Sequence, residues 1–117
     1  MKGIKTVNTH KVKRSKHNKL IDSLEQMILE NCVGVIDTQK NVEYPQGEID
    51  LLVLYIDRAI YFEVKSNHTP KSYNKGFKQL KRWTTYMRGM DRLTDYIGVY
   101  WTPQFKTPLF KNGYRHN

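Results

Sequence analysis

The sequence predicts an α/β fold in the order α-β-β-β-α-β, with a mixed central sheet flanked by helices. Three observations predict it. Residues 48–56 (EIDLLVLYI) and 59–66 (AIYFEVKS) are two nearly continuous apolar runs separated only by Asp57-Arg58, the pattern of strands buried on both faces. An apolar stripe at helical spacing precedes them, and a long basic segment with helical character follows. At 117 residues, 38% of them hydrophobic, the chain suits a single domain over residues 1–117 with one core.

Taken in order, the chain begins with a basic arm, residues 1–17. The first nineteen residues hold seven Lys or Arg, two His and no acid, the composition of a flexible extension. Asn18 is placed to cap a helix over 19–31. There Leu20, Ile21, Leu24, Met27 and Ile28 form one apolar stripe, with Glu25 at its rim and Asp22 further around. Residues 32–39 (CVGVIDTQ) are rich in β-formers and read as the first strand, and 41–47, with Pro45 and Gly47, read as a loop. The two apolar runs then form a hairpin about Asp57-Arg58. Thr69-Pro70 introduces a helix over 71–90, with Phe77, Leu80, Lys81, Thr84 and Met87 near one face and Trp83 and Tyr86 beside them. Residues 96–101 (YIGVYW) are a last strand, ended by Pro103, and 104–117 form a basic C-terminal tail.

Strand alternation supplies the sharpest chemical inference. Glu48, Asp50, Leu52 and Leu54 share one face of the second strand, and Ala59, Tyr61, Glu63 and Lys65 share one face of the third. Adjacent strands thus offer Asp50, Glu63 and Lys65, all embedded in apolar sequence. Burying unpaired charge is costly, so these carboxylates require a cation, either a Lys or Arg side chain or a metal. A structural salt-bridge cluster is the plain alternative. Mg²⁺ suits the functional one: it takes one or two carboxylates together with waters and phosphate oxygens. Phosphodiester hydrolysis uses such a metal to neutralise charge on the scissile phosphate and to generate hydroxide, while an ammonium orients or deprotonates the attacking water.

Gly47-Glu48-Ile49-Asp50, followed after twelve residues by Glu63-Val64-Lys65, resembles the signature of the PD-(D/E)XK nuclease superfamily, with Ile49-Asp50 in place of the Pro-Asp dipeptide. The resemblance spans residues 18–101 and implies a restriction-endonuclease-like core. It implies Asp50 and Glu63 as metal ligands, the Val64 carbonyl as a further one, and Lys65 as the catalytic lysine. It also implies an acid on the first helix, Glu25 or, less well matched, Asp22. Gln79 is similar to a glutamine that some branches place near the DNA backbone. The implied cofactor is Mg²⁺, with Mn²⁺ as a substitute. Within the superfamily the chain is most similar to small archaeal and viral Holliday junction resolvases and related phage endonucleases, which act as homodimers on branched DNA inside the host cell. A two-fold dimer would suit this chain, with Phe105, Leu109 and Phe110 contributing. Two other readings stay open: a site-specific duplex endonuclease of the homing or restriction type, and a non-catalytic nucleic-acid-binding module.

Charge supports a DNA partner. Lys and Arg number 20 against 11 Asp and Glu, a net +9, and cations placed on phosphates release condensed counterions. No acid occurs between Glu63 and Asp91, while Lys71, Lys75, Lys78 and Arg82 recur at steps of three and four residues and share a helix face. Ser66, at the loop before that helix, and Lys13 and Arg14, in the arm, are further candidate phosphate contacts. The four His show no metal spacing, and the single cysteine, Cys32, excludes an internal disulfide. No run approaches the roughly 20 apolar residues of a membrane span. The expectation is a cytoplasmic protein with no membrane partner.

Overall fold

A computed structural model describes residues 2–91 and 94–105, with side chains from Arg14 onward. The chain is α/β, and its elements are α1 (Lys2–Asn31), β1 (Asp37–Tyr44), β2 (Gly47–Leu54), β3 (Arg58–Val64), α2 (Pro70–Met90) and β4 (Asp95–Trp101). The four strands form one mixed sheet in the order β1-β2-β3-β4. The first three are antiparallel neighbours, and β4 runs parallel to β3. A parallel pair needs a long crossover, and α2 is that crossover.

Each face of the sheet is covered by one helix. Ile21, Leu24 and Ile28 of α1 pack on Leu51, Val53, Ile60, Phe62, Val64, Val99 and Trp101. Leu80 and Trp83 of α2 pack on Leu52, Ala59, Tyr61, Tyr96 and Tyr100. Two covered faces explain the near-continuous apolar sequence of β2 and β3. Among the described residues no helix is long and apolar enough to cross a membrane.

Three boundaries differ from the sequence reading. The first helix does not begin at Asn18 but continues back through the basic stretch to Lys2, about 45 Å in all. Asn18 is therefore an interior helix residue. The first strand lies five residues later than β-propensity places it. Gly34 turns the chain at φ 89°, Val33 is 92% exposed, and pairing begins at Asp37 opposite Leu54. Cross-strand pairing with β2 has overridden local preference. The resulting strand is polar and half-solvated, as suits a sheet edge. The β2–β3 link is Tyr55-Ile56-Asp57, closed by the Tyr55 N–H donating to the Arg58 carbonyl (2.8 Å).

In α2 the Thr69 side chain accepts from the Ser72 N–H, with Pro70 beginning the helix. Its buried face is Gly76, Leu80 and Trp83. Phe77 lies at the edge of that face, 45% exposed, where it lines a recess together with Leu80. Gly76 permits this docking. A Cβ there would lie 2.9 Å from the Tyr100 ring and 3.3 Å from Glu63 Cγ, whereas one at Gly89 would meet nothing within 4 Å. Gly76→Ala should therefore lose roughly 1–3 kcal/mol in urea unfolding despite the better helix propensity of Ala. Gly89→Ala in the same helix should gain a few tenths to about 1 kcal/mol. Equal responses at the two positions would show that close packing does not require Gly76.

Candidate metal-binding carboxylate site

Asp50 and Glu63 meet where β2 and β3 part. The β2–β3 ladder runs from Leu54↔Ala59 to Leu51↔Phe62, so Asp50 lies one residue beyond its last pair. On the other side, the β1–β2 ladder pairs Lys40↔Leu51 and Val42↔Ile49 and skips Asn41, which stands at φ 54°. Asparagine is among the few residues that accept this conformation readily. The interruption disturbs alternation: Ile49 packs in the α2-side cluster together with Leu52, three residues on. Asp50, freed from regular pairing on both sides, reaches the amide of the neighbouring strand and the first helix.

The Val64 N–H donates to Asp50 Oδ2 (2.8 Å), and His17 Nε2 lies 3.1 Å from Asp50 Oδ1. Glu63 sits under Gly76 of α2. Lys65 Nζ lies 3.5 Å from Glu63 Oε2, and the Lys65 N–H donates to the Trp101 carbonyl (2.9 Å), fixing the backbone just beyond β3. Both acids are buried, Asp50 at 6% exposure and Glu63 at 5%. Glu63 Oε1 has no hydrogen-bond partner among the described residues. Four neutral polar atoms beneath or beside α2 share that condition (Tyr44 OH, Tyr61 OH, Gln79 Oε1 and Trp83 Nε1), but among them only Glu63 carries a carboxyl oxygen, where desolvation costs most.

Electrostatics follow from that placement. Burial, and then the adjacent Asp50 charge, push the Glu63 carboxyl up to about 7, with Lys65 and His17 opposing. His17 is raised from its ordinary value chiefly by its hydrogen bond to Asp50, against its own desolvation. Two buried acids, one of them raised by the charge of the other and bounded by one ammonium and one imidazole, form a site short of positive charge. The donors that fit a hard divalent ion are Asp50, Glu63 Oε1 and the Val64 carbonyl. Among the described residues no group of three His, Cys, Asp or Glu side chains is gathered as a metal cluster, so any such ion would rest on two carboxylates and backbone or solvent oxygen.

The structure brings Asp50, Glu63, Val64 and Lys65 together, as their spacing suggests. It does not bring Glu25 there. Glu25 accepts from Thr38 Oγ1 (2.5 Å) and pairs with Lys40 (3.3 Å), and Asp22 pairs with the same lysine (2.9 Å). The α1 residue at the carboxylates is His17, two turns nearer the N-terminus. Extending the apolar stripe Ile21-Leu24-Ile28 back by four residues would have reached it, but the stretch reads as an arm. Arg14 pairs with Glu48 (3.4 Å), and the Lys13 side chain lies outside the described residues. Lys71, Lys75, Lys78, Arg82 and Ser66 are all exposed on or just before α2. Gln79 turns inward, with Oε1 3.4 Å from the Cβ position of Gly47 at the start of β2. Phe105 is half-buried against both core clusters rather than fully exposed. Leu109 and Phe110 lie outside the described residues. No protein-family model, curated protein or solved structure matches the chain.

The sign of the pH dependence is fixed by the direction of the Glu63 shift. Between its ordinary 4.5 and about 7 the folded chain keeps a proton that the unfolded chain has released. Stability of the metal-free protein should fall as pH rises across that window, by roughly 1 kcal/mol per pH unit. His17 adds a loss of the same sign only above its ordinary 6.5. Urea unfolding of Glu63→Gln between about pH 5 and 6.5 should therefore lack the slope that the wild type shows; a slope shared by both proteins would place the raised acid elsewhere.

Proposed function

We propose that this chain is a Mg²⁺-dependent DNA endonuclease of the PD-(D/E)XK type, hydrolysing phosphodiester bonds at the Asp50–Glu63 pair. The observation that carries the reading is Glu63: a buried carboxylate beside a second one, with an oxygen that no group among the described residues satisfies. In a purely structural salt bridge both carboxylate oxygens usually find partners, because an unpaired one is costly to bury. The α-β-β-β-α-β order and mixed sheet are compatible with a restriction-endonuclease-like core.

Asp50, Glu63 and the Val64 carbonyl would hold the ion, with Mn²⁺ able to replace Mg²⁺. When bound, the ion neutralises charge on the scissile phosphate and lowers the proton affinity of its water. The protein's own residues do the rest. The Val64 N–H holds one Asp50 oxygen in place. Lys65, fixed by its backbone bond to Trp101, presents an ammonium beside Glu63, where it can orient an attacking water or stabilise the anionic phosphate. The lysines and arginine of α2, unopposed by any acid from Val64 to Met90, are placed to neutralise flanking phosphates. On this reading the preferred substrate is branched DNA, cut by a homodimer in the manner of Holliday junction resolvases, because two symmetric cuts require two sites.

Incubation with Mg²⁺ and a four-way junction, a plain duplex or a plasmid tests the reading directly. Wild type should cut, with symmetric nicks across the junction, and Asp50→Asn should lose at least about 100-fold in rate while still binding DNA. A single defined cut in a long duplex would favour a site-specific endonuclease instead. Identical behaviour of wild type and Asp50→Asn on every substrate would leave only a binding module. Because deprotonation of Glu63 must accompany ion binding, the thermal stabilisation given by Mg²⁺ should grow from about pH 6 to pH 8.

A further inference from the structure

Beside the carboxylates lies a second feature that phosphate chemistry does not use. Glu63 is paired across the parallel ladder with Tyr100 of β4, and the two side chains share the space beneath Gly76. From Tyr100 an aromatic group extends outward along α2. Tyr73 meets the Tyr100 ring edge-on at 5.1 Å, Phe77 lies nearly parallel to Tyr73 at 5.8 Å, and Phe105 closes the far side of Tyr100 at 6.0 Å. These rings wall a recess of about 160 Å³ between α2 and β4, floored by Leu80 and Gly98. Unlike the buried Trp83 and Tyr61, Tyr73 and Phe77 are 41% and 45% exposed.

Cations surround this apolar recess. Tyr73, Phe77 and Lys81 follow one another at four-residue steps down α2, and Lys81 Nζ stands 5.6 Å over the Phe77 ring. Lys71, Lys75 and Lys78 are exposed on the same helix. His68, also exposed, sets its ring edge-on to Tyr73 at 5.9 Å and to Tyr100 at 5.7 Å. A planar, uncharged ring attached to a polyanionic backbone satisfies both halves of that surface: the ring meets aromatic walls and the phosphates meet lysines. A protein partner matched to the same face would have to be strongly acidic and yet present a lone aromatic group. The recess is also well below the roughly 300–1,000 Å³ typical of pockets for larger organic ligands, and it suits a single ring system.

We propose that the recess between α2 and β4, walled by Tyr73, Phe77, Tyr100 and Phe105, receives one unpaired nucleobase of the nucleic-acid substrate, next to the phosphate at the Asp50–Glu63 pair. This rests on the nuclease reading for its position relative to the cut and deepens it: the substrate has a base free of its helix at or beside the cleavage point. Fully paired duplex cannot fill the recess without unstacking a base, whereas a bulge, a flap or the crossover of a junction offers one at lower cost.

The test is metal-free, so cutting does not intervene. Wild type, Phe77→Leu, Tyr73→Leu and Phe77→Trp are titrated, with EDTA present, into a short duplex carrying 2-aminopurine either in a single-base bulge or paired within the helix. Wild type should quench the bulged probe and bind it more tightly than the paired one. Both Leu variants, which keep apolar volume but lose the ring, should weaken binding of the bulged duplex about tenfold or more and leave the paired duplex within about twofold. Phe77→Trp should retain quenching, and all variants should unfold at temperatures close to wild type because both positions are half-exposed. Absence of quenching by wild type, or equal weakening on both probes, overturns the proposal. Plasmid nicking with Mg²⁺ by wild type and Asp50→Asn reads the nuclease assignment separately: quenching without nicking leaves a base-binding recess and removes the hydrolytic role.

Discussion

The fold is organised around the need to keep two carboxylates out of water without a matching pair of cations. A buried acid costs several kcal/mol unless charge and hydrogen bonds compensate it. Here Asp50 is compensated by a backbone amide and an imidazole, and Glu63 by one ammonium on one oxygen only. Regular pairing would have carried β2 and β3 past this point side by side. Instead the ladder ends at Leu51↔Phe62, and Asn41 adopts a left-handed conformation opposite Asp50. The sheet opens between β2 and β3 where the charges sit, while the β3–β4 ladder stays continuous past Glu63 and is extended by the Lys65 N–H donating to the Trp101 carbonyl.

Compensation comes from elements distant in sequence, so the site also ties the layers together. His17 belongs to the helix on one face, Gly76 to the helix on the other, and Lys65 to the chain between them. The ion pairs on α1 illustrate the contrast. Asp22 and Glu25 share Lys40 at the rim of the sheet, and Asp22 and Lys40 are well solvated there. Burial scarcely affects that lysine, whose raised proton affinity comes from hydrogen bonds to Asp22 and then Glu25. Solvated pairs of this kind contribute between nothing and about 1 kcal/mol. They hold Glu25 away from the buried pair without stiffening the core.

The order of elements and the pairing of Glu63 with Lys65 could be read from the sequence because both depend on short-range patterns. Apolar runs mark the buried strands, and an acid two residues before a lysine stays beside it on an extended chain. The exact pairing of those strands was not needed for that inference. What pattern could not supply was set by tertiary contact. β1 begins at Asp37 because Leu54 is there to pair with it, although Val33 and Ile36 are the better β-formers. His17 was hidden because seven basic residues in the first nineteen suggest solvation, when in fact the helix runs straight through them. Phe77 lies at the exposed edge of the buried face because it is Gly76, with no side chain to signal it in a hydrophobic pattern, that packs against the sheet.

The seating of α2 on Gly76 links the carboxylate pair to the aromatic recess. With Gly76 rather than Phe77 against the sheet, α2 lies close enough for its backbone to roof Glu63, and the neighbouring aromatic residue is turned outward at the same stroke. A bulkier residue at 76 would lift the helix, loosen the cover over the carboxylate and alter the walls of the aromatic recess together. The distance between helix and strand therefore controls both the desolvation that raises the Glu63 carboxyl and the shape of the recess beside it. Tyr100 joins the two, touching the space under Gly76 on one side and the exposed rings on the other.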